Sequence, residues 1–146
     1  MLGRLARYLR FVGCDTAYLR GKTDDELVEI ASREDRLLLT RDRELSRRSA
    51  RAFLVESPVL AEQWRAVRAR WPSVPVVVTF DRCSVCNGLL ARLPADAEPA
   101  PGAAGPAGPR HVRGPLFGCR ECGHVYWEGS HTARIRAQIE AWEAEP

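Results

Sequence analysis

At 146 residues, 45% of them hydrophobic, the chain is long enough to bury a modest core with a small satellite, and its composition excludes a fibrous or wholly disordered protein. No apolar run nears the ~20 residues of a membrane span and no targeting segment is visible, so the expected setting is cytoplasmic, with no membrane partner. Net charge is only +3, yet residues 1–70 carry 15 Lys or Arg against 11 Asp or Glu, while residues 71–146 carry 7 against 8. The basic excess is thus N-terminal, and every basic residue but Lys22 is arginine, the type suited to bidentate phosphate contacts.

Leu2, Leu5, Ala6, Leu9 and Val12 recur at helical spacing with Arg4, Arg7 and Arg10 between them, and Gly13 stands where a C-terminal glycine belongs. An opening amphipathic helix is predicted. Asp15 to Leu19 has the alternation of a short strand, and Thr23-Asp24-Asp25-Glu26 is a capping box leading into a helix through Leu27, Val28, Ile30 and Ala31. Leu37 to Thr40 is a short apolar run of the kind found in buried parallel strands. A third helix starts near Asp42, Ala52 to Val55 forms a strand, and Ser57-Pro58 opens a helix carrying Leu60, Trp64 and Val67. Strand and helix alternate, so the predicted class is α/β with a parallel sheet over residues 1–80, Val74 to Thr79 adding one more strand.

Residues 81–146 are governed by cysteine. Cys83/Cys86 and Cys119/Cys122 form two Cys-x-x-Cys pairs, the ligand set of a closed tetrahedral zinc site, with Asn87-Gly88 and Gly123 placed to tolerate the positive φ of a tight knuckle. The expectation is a structural Zn²⁺ in a zinc ribbon. A redox pair or disulfides are the rival readings. Cys14, among apolar residues, reads as a small core side chain. Between the knuckles, 14 of the 16 residues from Pro94 to Pro109 are Pro, Gly or Ala, a flexible insertion by composition. Val125-Tyr126-Trp127 reads as a ribbon strand, and Ile135, Ile139 and Trp142 line a closing helix. His124 and His131 are surplus to zinc's four thiolates and are read as structural or partner contacts.

Asp42 follows a strand's carboxyl end, where open α/β sheets place their sites, with Glu44 two residues on and Asp24 and Asp25 at a helix start. Converging carboxylates would hold Mg²⁺ or Mn²⁺ for attack on a phosphodiester; the same acids equally serve as helix caps. Arg41, Arg43, Arg47, Arg48 and Arg51 form a dense basic stretch beside them, and Arg4, Arg7 and Arg10 offer a second patch, both suited to an RNA backbone or to solvent. No P-loop, dinucleotide fingerprint or Ser/His/Asp order is present.

The opening Met-Leu-Gly-Arg-Leu-Ala-Arg-Tyr-Leu-Arg, Gly13-Cys14-Asp15, Asp24-Asp25-Glu26-Leu27, Leu38-Leu39-Thr40-Arg41-Asp42-Arg43-Glu44-Leu45, Arg82-Cys83-Ser84-Val85-Cys86-Asn87-Gly88 and Tyr126-Trp127-Glu128-Gly129-Ser130-His131 together resemble the Mut-seven C-terminal RNase domain, over nearly the whole chain. The resemblance implies a PIN-like nuclease core followed by a zinc ribbon, with RNA as substrate and a divalent cation at the sheet edge. Asp24 and Asp42 then match the family's acids, Glu44 a weaker acidic position, and Asp25 substitutes if the helix start shifts by one. A non-catalytic RNA-binding or adaptor module is the alternative. The family places a strand ending in aspartate before the opening helix, whereas this sequence starts at Met1. The resemblance therefore implies either a longer gene product that supplies the strand, or an acidic site short of one ligand; some relatives carry a ubiquitin-like domain ahead of the nuclease. Thr132 stands where the family has a tryptophan.

Overall fold

Helices α1 (Gly3–Phe11) and α2 (Asp24–Arg33) precede strand β1 (Leu38–Thr40), helix α3 (Arg43–Arg48), strand β2 (Ala52–Leu54) and helix α4 (Leu60–Arg70). Strands β3 (Leu90–Arg92), β4 (Leu116–Cys119) and β5 (Val125–Trp127) and helix α5 (Ser130–Ala144) follow. This is a computed structural model, and it describes residues 2–94 and 114–145. Apart from Pro94, the insertion expected at 94–109 lies outside the described residues. The chain divides into two compact units, one made of the stretch up to Leu5 with Tyr18–Pro72, the other of Ala6–Ala17 with the chain from Ser73 onward.

In the first unit β1 and β2 pair in parallel, Leu38 opposite Ala52, Leu39 opposite Phe53 and Thr40 opposite Leu54, with α3 as the crossover. Leu45, Val55, Trp64 and Val67 are buried, Trp64 completely, and Phe53 meets Trp71 edge-on at 5.0 Å. Full burial of a Val or Leu side chain is worth ~1.5–3 kcal/mol, so this small core is carried by few residues. Among the described residues the parallel sheet has two strands, fewer than predicted. Leu37 is 53% exposed and Leu38 and Leu39 are half-buried, so the apolar run is not the fully covered strand that its composition suggested. Helix α2 is set by its ends. The Thr23 Oγ1 accepts from the Glu26 N–H at 3.3 Å while the Glu26 carboxylate accepts from the Thr23 N–H at 2.8 Å, the expected capping box. Asp35 at φ 55° closes the helix as Arg36 N–H reaches the Ala31 carbonyl at 2.8 Å.

In the second unit the latter part of α1 ends as its sequence predicts. Gly13 takes φ 87°, its N–H donates to the Arg10 carbonyl at 3.0 Å, and the Cys14 N–H donates to the Leu9 carbonyl at 2.9 Å. These two bonds satisfy carbonyls that a helix end otherwise leaves open. The antiparallel order β3-β4-β5 carries both knuckles. Ile135, Ile139 and Trp142 are buried along α5, and Tyr8 packs its ring 4.7 Å from that of Trp142. Thr132 is buried and donates to the Trp127 carbonyl at 3.0 Å, tying the first turn of α5 to β5.

Two predicted strands are not strands. Asp15 to Leu19 forms no strand, and the Thr16 N–H that a ladder would use donates to the Asn87 side chain. Val74 to Thr79 is irregular, with Val77 66% exposed and the Thr79 N–H donated to the Phe11 carbonyl. Helix α4 begins at Leu60, two residues beyond Pro58, with Ser57 Oγ accepting from the Val59 N–H at 2.9 Å. Among the described residues, no helix is long and apolar enough to cross a membrane.

Candidate functional site

The four knuckle cysteines converge. Their Sγ atoms all lie within 4.8 Å of one another, with Cys83 3.6 Å from Cys122 and Cys86 3.4 Å from Cys119. Four thiolates about 2.3 Å from a tetrahedral zinc sit roughly 3.8 Å apart, whereas a disulfide needs ~2.05 Å, so the donor set fits a metal such as zinc and not a pair of disulfides. All five cysteines are free.

Local backbone chemistry builds this cluster. In the first knuckle the Cys83 N–H donates to the Gly88 carbonyl at 2.8 Å and the Asn87 N–H to the Cys83 carbonyl at 2.9 Å, with Asn87 at φ 72°. In the second, the Cys119 N–H donates to the His124 carbonyl and the Gly123 N–H to the Cys119 carbonyl, with Gly123 at φ 76°. Gly88 is needed for closeness rather than for φ, because a Cβ there would stand 2.9 Å from the Cys119 sulfur and 2.7 Å from Glu121 Cγ.

The environment differentiates the sulfurs. Burial disfavours the Cys83 thiolate, but hydrogen bonds from Tyr126 and from the Cys86 and Val85 backbone overcome it and bring the thiol down to about 7. Burial pushes Cys122 up to about 12, and raises Cys86 as well. The Tyr126 hydroxyl lies 3.0 Å from the Cys83 sulfur and 3.3 Å from Ser84 Oγ, and His124 Nδ1 lies 3.3 Å from the Cys122 sulfur. His131 instead packs edge-on to Phe11 at 6.4 Å. Cys14 is half-buried, and burial raises its thiol.

Three contributors to this centre were not legible as such. Arg10, read as part of a surface patch, is 5% exposed and donates through Nε to the Thr16 carbonyl at 2.8 Å and through Nη1 to the Ser84 and Val85 carbonyls at 3.1 and 3.0 Å. Asn87, read as a turn former, also accepts from the Thr16 N–H at 2.9 Å and donates to Asp15 at 2.7 Å. Tyr126, read only as a strand residue, reaches the Cys83 sulfur. A signal for Arg10 existed in its position one helical turn after Ala6, at the margin of the apolar stripe, while Arg4 and Arg7 are exposed.

The acidic candidates are placed differently. Asp42 is the N-cap of α3, its Oδ1 accepting from the Glu44 and Leu45 N–H groups at 2.7 and 3.0 Å. Asp24 and Asp25 start α2, and Arg48 reaches both, at 3.6 Å from Asp24 and in a closer approach to Asp25. Glu44 is exposed in the first turn of α3. Among the described residues these carboxylates form no group of three with a shared reach, as the cysteines do. Of the arginines, Arg43 pairs with Glu56 at 3.1 Å, Arg51 pairs with Asp35 at 2.5 Å, and Arg41 donates to the Glu56 carbonyl at 3.5 Å. Arg47 is exposed on α3.

In a comparison against family models, the Mut7-C RNAse domain matches residues 1–139. The chain belongs to the Mut7-C RNase domain family. Comparisons with curated proteins and with solved structures returned no match. The family membership suggests a nuclease-type function.

Proposed function

We propose that the chain is a metal-dependent ribonuclease, cytoplasmic, in which a PIN-like α/β core carries the acidic edge and a zinc ribbon positions RNA. The observation that carries this reading is the RNase-domain match over residues 1–139. Zn²⁺ would be held by Cys83, Cys86, Cys119 and Cys122 as a structural ion, since four thiolates leave it no open position. Asp24 and Asp42, with Glu44 or Asp25 in support, are the residues that would hold Mg²⁺ or Mn²⁺. Such a cation supplies Lewis acidity toward a phosphodiester. For Asp24 to serve, it must give up Arg48. Arg4, Arg7, Arg41, Arg43, Arg47 and Arg48 are the basic side chains proposed for the RNA backbone.

One observation favours a second reading, an RNA-binding or adaptor module without catalysis. Asp42 commits an oxygen to its cap and Asp24 and Asp25 engage Arg48, roles that need no cation. Incubation with single-stranded RNA separates the two. Cleavage supported by Mn²⁺ or Mg²⁺ and abolished by EDTA is the expected result; retention of RNA without cleavage under any divalent ion establishes the binding module instead.

A further inference from the structure

Among the described residues, Arg10 is the charged side chain that is buried, and its surroundings are unusual for a buried cation. Its hydrogen bonds go to three backbone carbonyls, those of Thr16, Ser84 and Val85. Ser84 and Val85 are the two residues between the ligands Cys83 and Cys86. Burial acts against the charge of the guanidinium, while the Cys83 and Cys86 sulfurs act in its favour. A buried charge is costly unless compensated, and a divalent ion with four thiolates carries two excess negative charges of its own. Each requirement answers the other.

We propose that Arg10 is a positioning residue of the metal centre: its guanidinium clamps the Ser84-Val85 turn of the first knuckle and neutralises part of the charge of a zinc tetrathiolate. The fork geometry matters as well as the charge, because Nε and Nη1 point to acceptors on different segments, the Thr16 carbonyl and the knuckle. Asn87 reinforces the same junction by accepting from the Thr16 N–H, so Thr16 is held on both its backbone groups. An ammonium can supply the charge but has no planar fork with which to divide its donors this way. Residues outside a ligand set that orient ligands commonly change metal affinity by ~10–100-fold when removed.

This inference rests on the zinc reading of the cysteines, and the experiment keeps the two apart. Zinc affinity of the full chain is measured by competition with a chromophoric chelator, and the thiolate-to-metal charge-transfer bands are recorded after Co²⁺ substitution. If the unaltered protein binds neither ion through its cysteines, the zinc reading itself fails. Given binding, Arg10→Met is expected to weaken zinc at least 10-fold and to shift the Co²⁺ bands, and Arg10→Lys to recover part of the affinity but not the original spectrum. Arg134→Met, an exposed change on α5, serves as control. If Arg10→Met does not fold, Arg10→Lys decides alone, with a loss of at least threefold and a shifted spectrum expected. Affinity and spectrum indistinguishable from those of Arg134→Met in the folded variant overturn the proposal.

Discussion

The knuckle unit and the acidic unit both contain chemically capable side chains but organise them in opposite ways. Around the cysteines, long-range bonds converge: Arg10 reaches Ser84, Asn87 reaches Thr16, and Tyr126 reaches Cys83. Around Asp42 the carboxylate's own bonds stay local, serving its helix, and the link to another element is an exposed ion pair from Arg48 to the start of α2. Shared reach requires backbone closure from distant segments, and the knuckle pair alone has it among the described residues. Proximity of acids in sequence is therefore weaker evidence for a site than two knuckles folded onto each other.

The largest expected effect tests the convergent side. Structural zinc supplies on the order of 10 kcal/mol of folding free energy, so Cys119→Ser should reduce zinc from one per chain to a trace and abolish amide protection in β3, β4 and β5. Protection in α2 and α4 should persist. Metal analysis with hydrogen exchange checks both, and a folded, fully protected, metal-free unit would break the contrast.

Asp42→Asn tests the local side. Asn caps a helix about as well as Asp, so stability should change by less than ~0.5 kcal/mol. If the carboxylate holds a catalytic cation, RNA cleavage should fall by roughly two orders of magnitude, the scale of removing one well-placed electrostatic group. Equal cleavage by Asp42→Asn and the unaltered protein would leave Asp42 a cap and nothing more.

What the sequence disclosed follows the same division. The knuckles, the capping box at Thr23, the Gly13 helix end and the stripe on α5 are set by residues close together in the chain, and all appear where predicted. The strands expected at Asp15 to Leu19 and Val74 to Thr79 are absent, and one backbone N–H in each, that of Thr16 and that of Thr79, goes instead to Asn87 and Phe11, partners more than sixty residues away. Arg10 lies away from the expected patch for a like reason, since two of its three acceptors are 74 and 75 residues along the chain. Periodicity records which face of a helix is apolar; it does not record that a cation at the margin will find buried carbonyls.

A smaller effect sharpens the description of the thiolates. Tyr126→Phe removes the hydroxyl that lies 3.0 Å from the Cys83 sulfur while preserving the ring. A hydrogen bond to a charged group is worth ~1.5–3 kcal/mol, and zinc competition should show a loss of that order or less. Ser84 Oγ, 3.3 Å from the same hydroxyl, is left beside Cys83 and can offset part of it. An unchanged affinity would mean that Tyr126 packs against the sulfur without supporting its charge.

The smallest effect distinguishes two neighbours on α3. Arg47 is exposed, whereas Arg48 is engaged with Asp24 and Asp25 and must leave them to meet a phosphate. Removing one cation that neutralises a phosphate should flatten the dependence of log affinity on log salt by ~0.7 for single-stranded RNA. Arg47→Ala should therefore flatten that slope by about this amount, and Arg48→Ala by less. Exposed ion pairs contribute ~0–1 kcal/mol, so thermal stability hardly separates the two variants, and the salt slope is the informative measurement. A larger slope change for Arg48→Ala would show that RNA draws Arg48 away from the acids. That exchange would also release Asp24 for a cation, and the local side would then be a site assembled by its substrate.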